Sequence, residues 1–293
     1  MPIRGILNND YPDFEVLVVD QSDNDLTELA LKAYLGDSRL RYIRSGTKGI
    51  SAGRNVGISH AQGAWIAMTD DDCDVPKNWL REFVAAFSVN ANIALVFGDV
   101  LPVAHDRAEG FVVSCVGHQP VLARTVREQY LVEGTSACMA ISRTAAERLG
   151  GYDPILGVGA RLKSGEDLDL CVRALLAGYF VYRQPSVKVI HHCLVPWAQA
   201  GRVNHQYLYG NGAMFAKHVK CGNWSAVTLL RQLLWKGILG SSSVRRGNQR
   251  QIWLKTAAFI CGFTAGAFTA VDRANYRFAP SRRDSATPNN PQP

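Results

Sequence analysis

The first two hundred positions alternate between short apolar runs and helical spacings. Residues 14–20, FEVLVVD, form a nearly unbroken β-branched run ending in an acid, the pattern of a strand buried on both faces. Residues 25–35 set Leu26, Leu29, Ala30, Ala33 and Tyr34 at helical spacing, and 40–44 predict a second strand. After the loop SGTKG at 45–49, a helix of small residues is expected over 51–62, able to pack closely on a sheet. Residues 64–69 predict a third strand, broken by Asp70, Asp71 and Asp72. Pro76 marks a helix start, with Trp79, Phe83, Ala86 and Phe87 on one face. Residues 93–103 and 137–142 read as strands, 144–149 as a helix stopped by Gly150 and Gly151, and 168–177 as a helix stopped by Gly178. Further strands follow at 179–183 and 187–190, while 105–133 is a mixed insertion that the pattern leaves unassigned. Strand and helix in alternation predict an α/β fold with a doubly wound sheet.

From Asn204 onward the spacing is helical. Val227, Leu230, Leu233, Leu234 and Ile238 line one side of a helix, with Arg231, Gln232 and Lys236 opposite. Residues 253–271 carry a single charge, Lys255, over nineteen positions, close to the roughly 20 needed to cross a bilayer. The same stretch is rich in Ala, Gly and Thr, and Gly262 and Gly266 could seat it against another helix, so a soluble core helix is the competing expectation. Residues 280–293, rich in Pro, Asn and Ser, are expected to be disordered. The chain is thus divided into an α/β domain over 1–200, a helical membrane-associating region over 201–279 and a tail.

Composition sharpens this division. Of 293 residues, 47% are hydrophobic and 19% charged, which fits a globular chain and excludes a disordered one. Seven scattered Cys with no C-x-x-C pair argue against a structural zinc site or a disulfide framework and for a reducing compartment. No charged segment followed by an apolar one opens the chain, so no secretory signal is expected. Residues 217–283 hold twelve Lys and Arg against one acid, Asp272, a local +11 that leaves −4 for the rest of a +7 chain. These cations sit among Leu, Ile, Phe and Trp, which favours an anionic membrane surface over nucleic acid. No motif that reads RNA or DNA is present.

Asp70, Asp71 and Asp72 follow a strand with no other acid, and clustered carboxylates repel unless a cation joins them. Hard oxygen ligands suit Mg²⁺ or Mn²⁺, although a solvated acidic turn would read the same way. Ligands in open α/β sheets lie beyond the carboxyl ends of strands, and Asp20 ends a strand as the triplet does. Gly165-Glu166-Asp167-Leu168-Asp169 leads into an apolar helix. Its acids suit helix capping, Asp169 best of all, or a general base facing a metal site. His191 and His192 end a strand, where one imidazole could join a metal shell. Gly49 to Asn55, GISAGRN, joins a tight turn, a helix start and Arg54, a combination that suits an anion without the spacing of a P-loop.

In this order, the segments resemble the family 2 glycosyltransferases of the GT-A fold, over about residues 2–192. Residues 14–25 (FEVLVVDQSDND), 49–57 (GISAGRNVG) and 65–72 (WIAMTDDD) resemble the family's nucleoside strand, its glycine-and-arginine segment and its D-x-D strand. Residues 150–154 (GGYDP), 165–170 (GEDLDL) and 185–191 (PSVKVIH) follow in family order. The resemblance implies a mixed sheet and an inverting, metal-dependent transfer of a sugar from a nucleotide sugar, with a UDP-sugar expected. It implies that Asp20, Gly49, Arg54, Asn55, Asp70 and Asp71 meet the nucleotide sugar. It also implies that Asp70, Asp72 and His191 hold Mn²⁺ or Mg²⁺, and that Asp167, oriented by Glu166, is the base. A lipid-linked or glycan acceptor at the cytoplasmic face of the cell membrane is expected. The family's initial central strand has no counterpart before residues 2–9, so the sequence reads as starting downstream of it. That departure keeps a rival in view: a non-catalytic nucleotide-sugar-binding or scaffold protein.

Overall fold

A computed structural model of the protein describes residues 2–234 and 249–279. In chain order the elements begin α1 (Pro2–Leu7), β1 (Val16–Asp20), α2 (Leu26–Leu31), β2 (Leu40–Arg44), α3 (Ile50–His60), β3 (Trp65–Met68), β4 (Cys73–Asp74) and α4 (Trp79–Phe87). They continue β5 (Ile93–Pro102), β6 (Gly110–Val112), β7 (Val121–Ala123), β8 (Met139–Ser142), α5 (Arg143–Leu149), α6 (Glu166–Leu176) and β9 (Phe180–His191). The last are β10 (Leu194–Pro196), α7 (Trp197–Lys220), α8 (Ser225–Leu234), α9 (Gln249–Ala267), β11 (Val271–Asp272) and β12 (Arg277–Phe278).

The main sheet runs β3-β8-β5-β9-β4, with β7 also on β9. It is mixed: β5 and β9 are parallel, and the other pairs are antiparallel. β1 and β2 form a separate parallel pair with its own small core of Ile3, Val16, Leu31 and Leu40. β1 and β3 therefore each pair on one edge only among the described strands. The apolar face expected after Pro76 is found on α4, where Trp79, Phe83, Ala86 and Phe87 are buried against the sheet. α5 starts where the Ser142 side chain accepts from the Ala145 N–H, and ends at Gly150, whose φ of 69° a side chain would resist.

Two expected strands, 179–183 and 187–190, are one continuous β9. Its ladder with β5 jumps from Phe97↔Arg183 to Asp99↔Lys188, so Pro185 sits in the irregularity, where no ladder hydrogen bond is asked of it. The unassigned insertion holds β6, β7 and a 3₁₀ turn over Val126–Leu131, started by a capping box between Thr125 and Glu128.

The expectation of a membrane span over 253–271 is corrected. No described helix is long and apolar enough to cross a membrane. The small residues of α9 are spent within the chain: a Cβ on Gly262 or Gly266 would run into the Tyr209 or Ala213 carbonyl of α7, and one on Gly212 into that of Phe259. The competing core-helix expectation describes α9 better. Lys236, Ile238 and the 280–293 tail lie outside the described residues.

α7 is fastened to α6 by charge as well as by packing. Lys217 and His218, both fully buried, reach Asp169, with Lys217 Nζ 2.6 Å and His218 Nε2 2.9 Å from its Oδ1. Lys217 also holds Asp153 at 2.8 Å, and Arg173 Nε donates to Asp169 Oδ2 at 2.9 Å. Asp169 is thus the hub of an interior ion network, and the capping role read from its position is not the one it plays. Burial works to raise its pKa, but Lys217, Arg173 and His218 hold it well below the usual carboxylate range.

Candidate active site

The acidic turn depends on backbone geometry. Gly165, at φ 90°, precedes α6 in a left-handed conformation and turns the chain so that Glu166 and Asp167 open the helix. Asp167 is then fixed by a residue from another element: the Ser136 N–H and hydroxyl donate to its Oδ2 at 3.0 and 3.1 Å. Its Oδ1 is buried and has no hydrogen-bond partner.

Facing it is Arg54, on α3. One arm, Nη2, donates to Asp70 Oδ1 at 3.1 Å. The other, Nη1, lies 3.8 Å from Glu166 Oε1 and 3.9 Å from Asp167 Oδ1, too far to bond, and is also buried without a partner. The guanidinium stands over the Tyr152 ring, 5.5 Å from its centroid. One cation among three carboxylates cannot satisfy them all. Burial first, and the charge of Asp167 second, push Glu166 up to about 7. Burial also raises Asp70, with Asp167 and Asp72 adding to the shift and Arg54 opposing it.

A second group adjoins this one. β4 pairs with β9 so that Cys73 lies opposite His191, which brings Asp72 Oδ1 within 3.3 Å of His191 Nε2. His191 Nδ1 donates to the Val113 carbonyl at 2.9 Å, which fixes the ring with Nε2 turned toward the Asp72 carboxylate. With Nε2 unprotonated, the pair offers a cation one oxygen and one imidazole nitrogen. Cys73 completes a cluster of possible ligand atoms with Asp72 and His191. Burial, with Asp70 and Asp72 nearby, pushes its thiol up to about 12, and the harder donors of the set are an oxygen and an imidazole nitrogen. That set fits a hard or borderline divalent ion such as Mn²⁺ or Mg²⁺.

Arg54, Asp70, Glu166, Asp167 and His191 line one cavity of about 830 Å³. The remaining expected contacts lie outside its lining. Asp20 ends β1, its oxygens taken by the Ser22 N–H at 2.8 Å and the Tyr42 hydroxyl at 2.7 Å. Burial works to raise its pKa, yet these donors bring it below the usual value. Gly49 opens α3 and its carbonyl accepts from Gln21. The Asn55 side chain both donates to and accepts from the backbone of Tyr152, clamping the GGYDP turn. Asp71 is exposed. Ser136 was missed in the sequence: Thr135 and Ser136, a polar pair just ahead of the apolar β8, were the available signal.

This combination of mixed sheet, strand-end carboxylates and acidic helix start is the architecture of GT-A glycosyltransferases. A mannosyltransferase, PcManGT from Pyrobaculum calidifontis, solved in complex with GDP-Man and Mn²⁺, superposes with a TM-score of 0.58 at 18% identity, covering 91% of this chain and 82% of that one. Residues 1–349 of S. aureus TarS superpose with a TM-score of 0.59 at 17% identity, covering 89% and 75%. Residues 3–147 match the family model for glycosyl transferase family 2, and the chain belongs to that family. The succinoglycan biosynthesis protein ExoO of Rhizobium meliloti is 30% identical over 193 residues, 65% of this chain. The chain spans 55% of ExoO and less than a third of two other curated relatives it matches.

Proposed function

We propose that the protein is an inverting glycosyltransferase that moves a sugar from a nucleotide sugar to an acceptor hydroxyl. The observation that carries this reading is Asp167: one oxygen is fixed by Ser136, the other accepts no hydrogen bond and lies 3.9 Å from Arg54 Nη1, and the residue lines a cavity with Arg54, Asp70 and His191. A carboxylate so held can take a proton without first giving up a hydrogen bond.

The acceptor hydroxyl gives its proton to the Asp167 carboxylate as its oxygen bonds to the anomeric carbon. The bond from that carbon to the diphosphate breaks on the opposite face, and the diphosphate leaves with the electron pair. Arg54, held by Asp70 through Nη2 and lining the cavity, offers a fixed positive charge to the nucleotide. Asp72 and His191 would hold a Mn²⁺ or Mg²⁺ ion, which when bound supplies positive charge to the departing diphosphate. Glu166, its pKa pushed up to about 7, limits the negative charge that gathers beside Asp167. The Mn²⁺ and nucleotide-sugar complexes of structural neighbours support a metal and such a donor here.

We assign the acceptor to the lipid-linked or glycan class, at the cytoplasmic face of the membrane. Support comes from the basic, apolar C-terminal third and from the likeness to a polysaccharide-assembly protein. The test is nucleoside diphosphate release from a panel of nucleotide sugars, a UDP-sugar first, with and without Mn²⁺. Metal-dependent release from one donor is expected. Nucleotide binding without release from any of them would favour the non-catalytic rival.

A further inference from the structure

We propose that the far end of the cavity is a subsite for an aliphatic chain, so that the hydroxyl presented to Asp167 is carried on an amphiphile. This rests on the transferase reading above. α7 runs along the cavity and changes character as it goes. Asn211 stands beside the acidic turn: a Cβ on Gly165 would lie 3.4 Å from its Oδ1. Tyr207, one turn before it, also lines the cavity, and burial plus the charges of Glu166 and Asp167 raise its pKa. An amide and a phenol there suit a sugar or another polar head.

Phe215, one turn beyond Asn211, is buried and faces Phe259 of α9, ring centroids 6.3 Å apart. Leu230 and Leu233 of α8, half-buried, give the same cavity an apolar wall with Phe259, backed by Phe215 and Val132 at 1% exposure, and Gln129 and Glu133 beside Val132 line it as well. Among the described residues α7, α8 and α9 add no carboxylate to the lining, and their one charged contribution is Lys255. A polysaccharide would gain little from such walls, whereas an alkyl chain loses its water-exposed surface to them.

The outer face of α9 shows where the chain comes from. Phe259 and Lys255 face the cavity, while Trp253 and Leu254 beside them are 76% and 61% exposed, and Phe268 at the helix end is 89% exposed. Residues 217–271 contain no acid, and Arg231, Arg250 and Arg273 are exposed around these helices. Exposed apolar side chains ringed by cations match an anionic lipid surface. An amphiphile held at that surface lies against the helix whose Phe259 and Lys255 line the cavity.

The probes are decyl β-D-glucopyranoside and methyl β-D-glucopyranoside, both below micelle-forming concentration, titrated calorimetrically into the full chain. The decyl glycoside should bind about tenfold tighter or better, the gain expected from burying roughly two methylenes. Leu233→Trp, which fills the apolar end, should abolish that preference while UDP affinity with Mn²⁺ is unchanged. A decyl glycoside with a terminal diazirine should label Leu230, Leu233 or Phe259 in the unaltered protein. Equal affinity for the two glycosides, a preference that survives Leu233→Trp, or labelling confined to other residues would overturn the proposal. Loss of donor turnover, by contrast, would sink the transferase reading, with the glycoside comparison still deciding the chain subsite.

Discussion

Asp167 differs from its two acidic neighbours in what holds it. Asp169 is locked by two cations and the His218 imidazole, and Glu166 lies between Arg54 and the negative charge of Asp167. Only Asp167 is both fixed and half free. Ser136→Ala should lower turnover with little change in nucleotide affinity, because it loosens the base without touching the donor site. Burst and steady-state rates measure the first effect and titration of UDP the second. An unchanged rate would remove Ser136 from its positioning role. Glu166 gives a second test, in stability. Its ordinary pKa is 4.5, and in the folded chain it is pushed up to about 7. Between those values the folded form keeps a proton that the unfolded form has lost, so stability falls as pH rises through the window and then levels off. Glu166→Gln removes that slope. The melting temperature of the variant should gain on wild type from pH 4.5 to about 7, with the gain constant above that range. A difference independent of pH would contradict this account of Glu166.

At the scale of elements, the join between α6 and α7 is the one on which the site depends most. Gly210 of α7 approaches Ser164 so closely that a Cβ there would overlap the Ser164 carbonyl, and the Lys217–Asp169 pair lies two helical turns further along. Lys217→Met would leave Asp153 and Asp169 buried with one cation fewer, a change that typically costs about 3–5 kcal/mol. Urea denaturation measures this directly. A shift within about 0.5 kcal/mol, the scale of an ordinary surface substitution, would show that the network is not what holds the helices together. Local pattern revealed most of these elements. β1, β2, α3, α4 and α6 all follow from apolar spacing and turn residues. What it could not reveal was pairing at a distance: that two short β segments run on as one strand through Pro185, or that Ser136 meets Asp167 across 31 positions. Apolar count alone also made 253–271 look like a membrane span, because hydropathy cannot tell a lipid neighbour from the glycine-notched face of α7.

At the scale of the whole molecule, the sequence yielded the family and its chemistry more completely than its boundaries. The motifs around Asp20, Arg54, Asp70, Asp72, Asp167 and His191 were legible as strand-end and helix-start acids and cations. Their division of labour was not, since Asn55 and Asp20 are recognisable as turn clamps only once Tyr152 and Tyr42 stand beside them. The helices α7, α8 and α9 supply part of the cavity wall, and α7 supplies the Lys217 cation that reaches Asp169. The metal reading makes a prediction at this scale. Asp72→Ala should abolish the Mn²⁺-dependent part of UDP affinity and leave the metal-free part intact. Calorimetry with and without Mn²⁺ separates the two, and an undiminished Mn²⁺ effect would move the ion elsewhere.

The central claim is that Asp167 takes the acceptor's proton in a site that binds nucleotide sugar without its help. The most direct measurement sets donor turnover by Asp167→Asn beside its UDP affinity in Mn²⁺. Turnover should fall by about 10²–10⁴-fold, the usual worth of a general base, while affinity stays within about twofold of wild type. A variant that turns over donor at the wild-type rate, or that loses nucleotide affinity in step with its rate, would contradict the assignment.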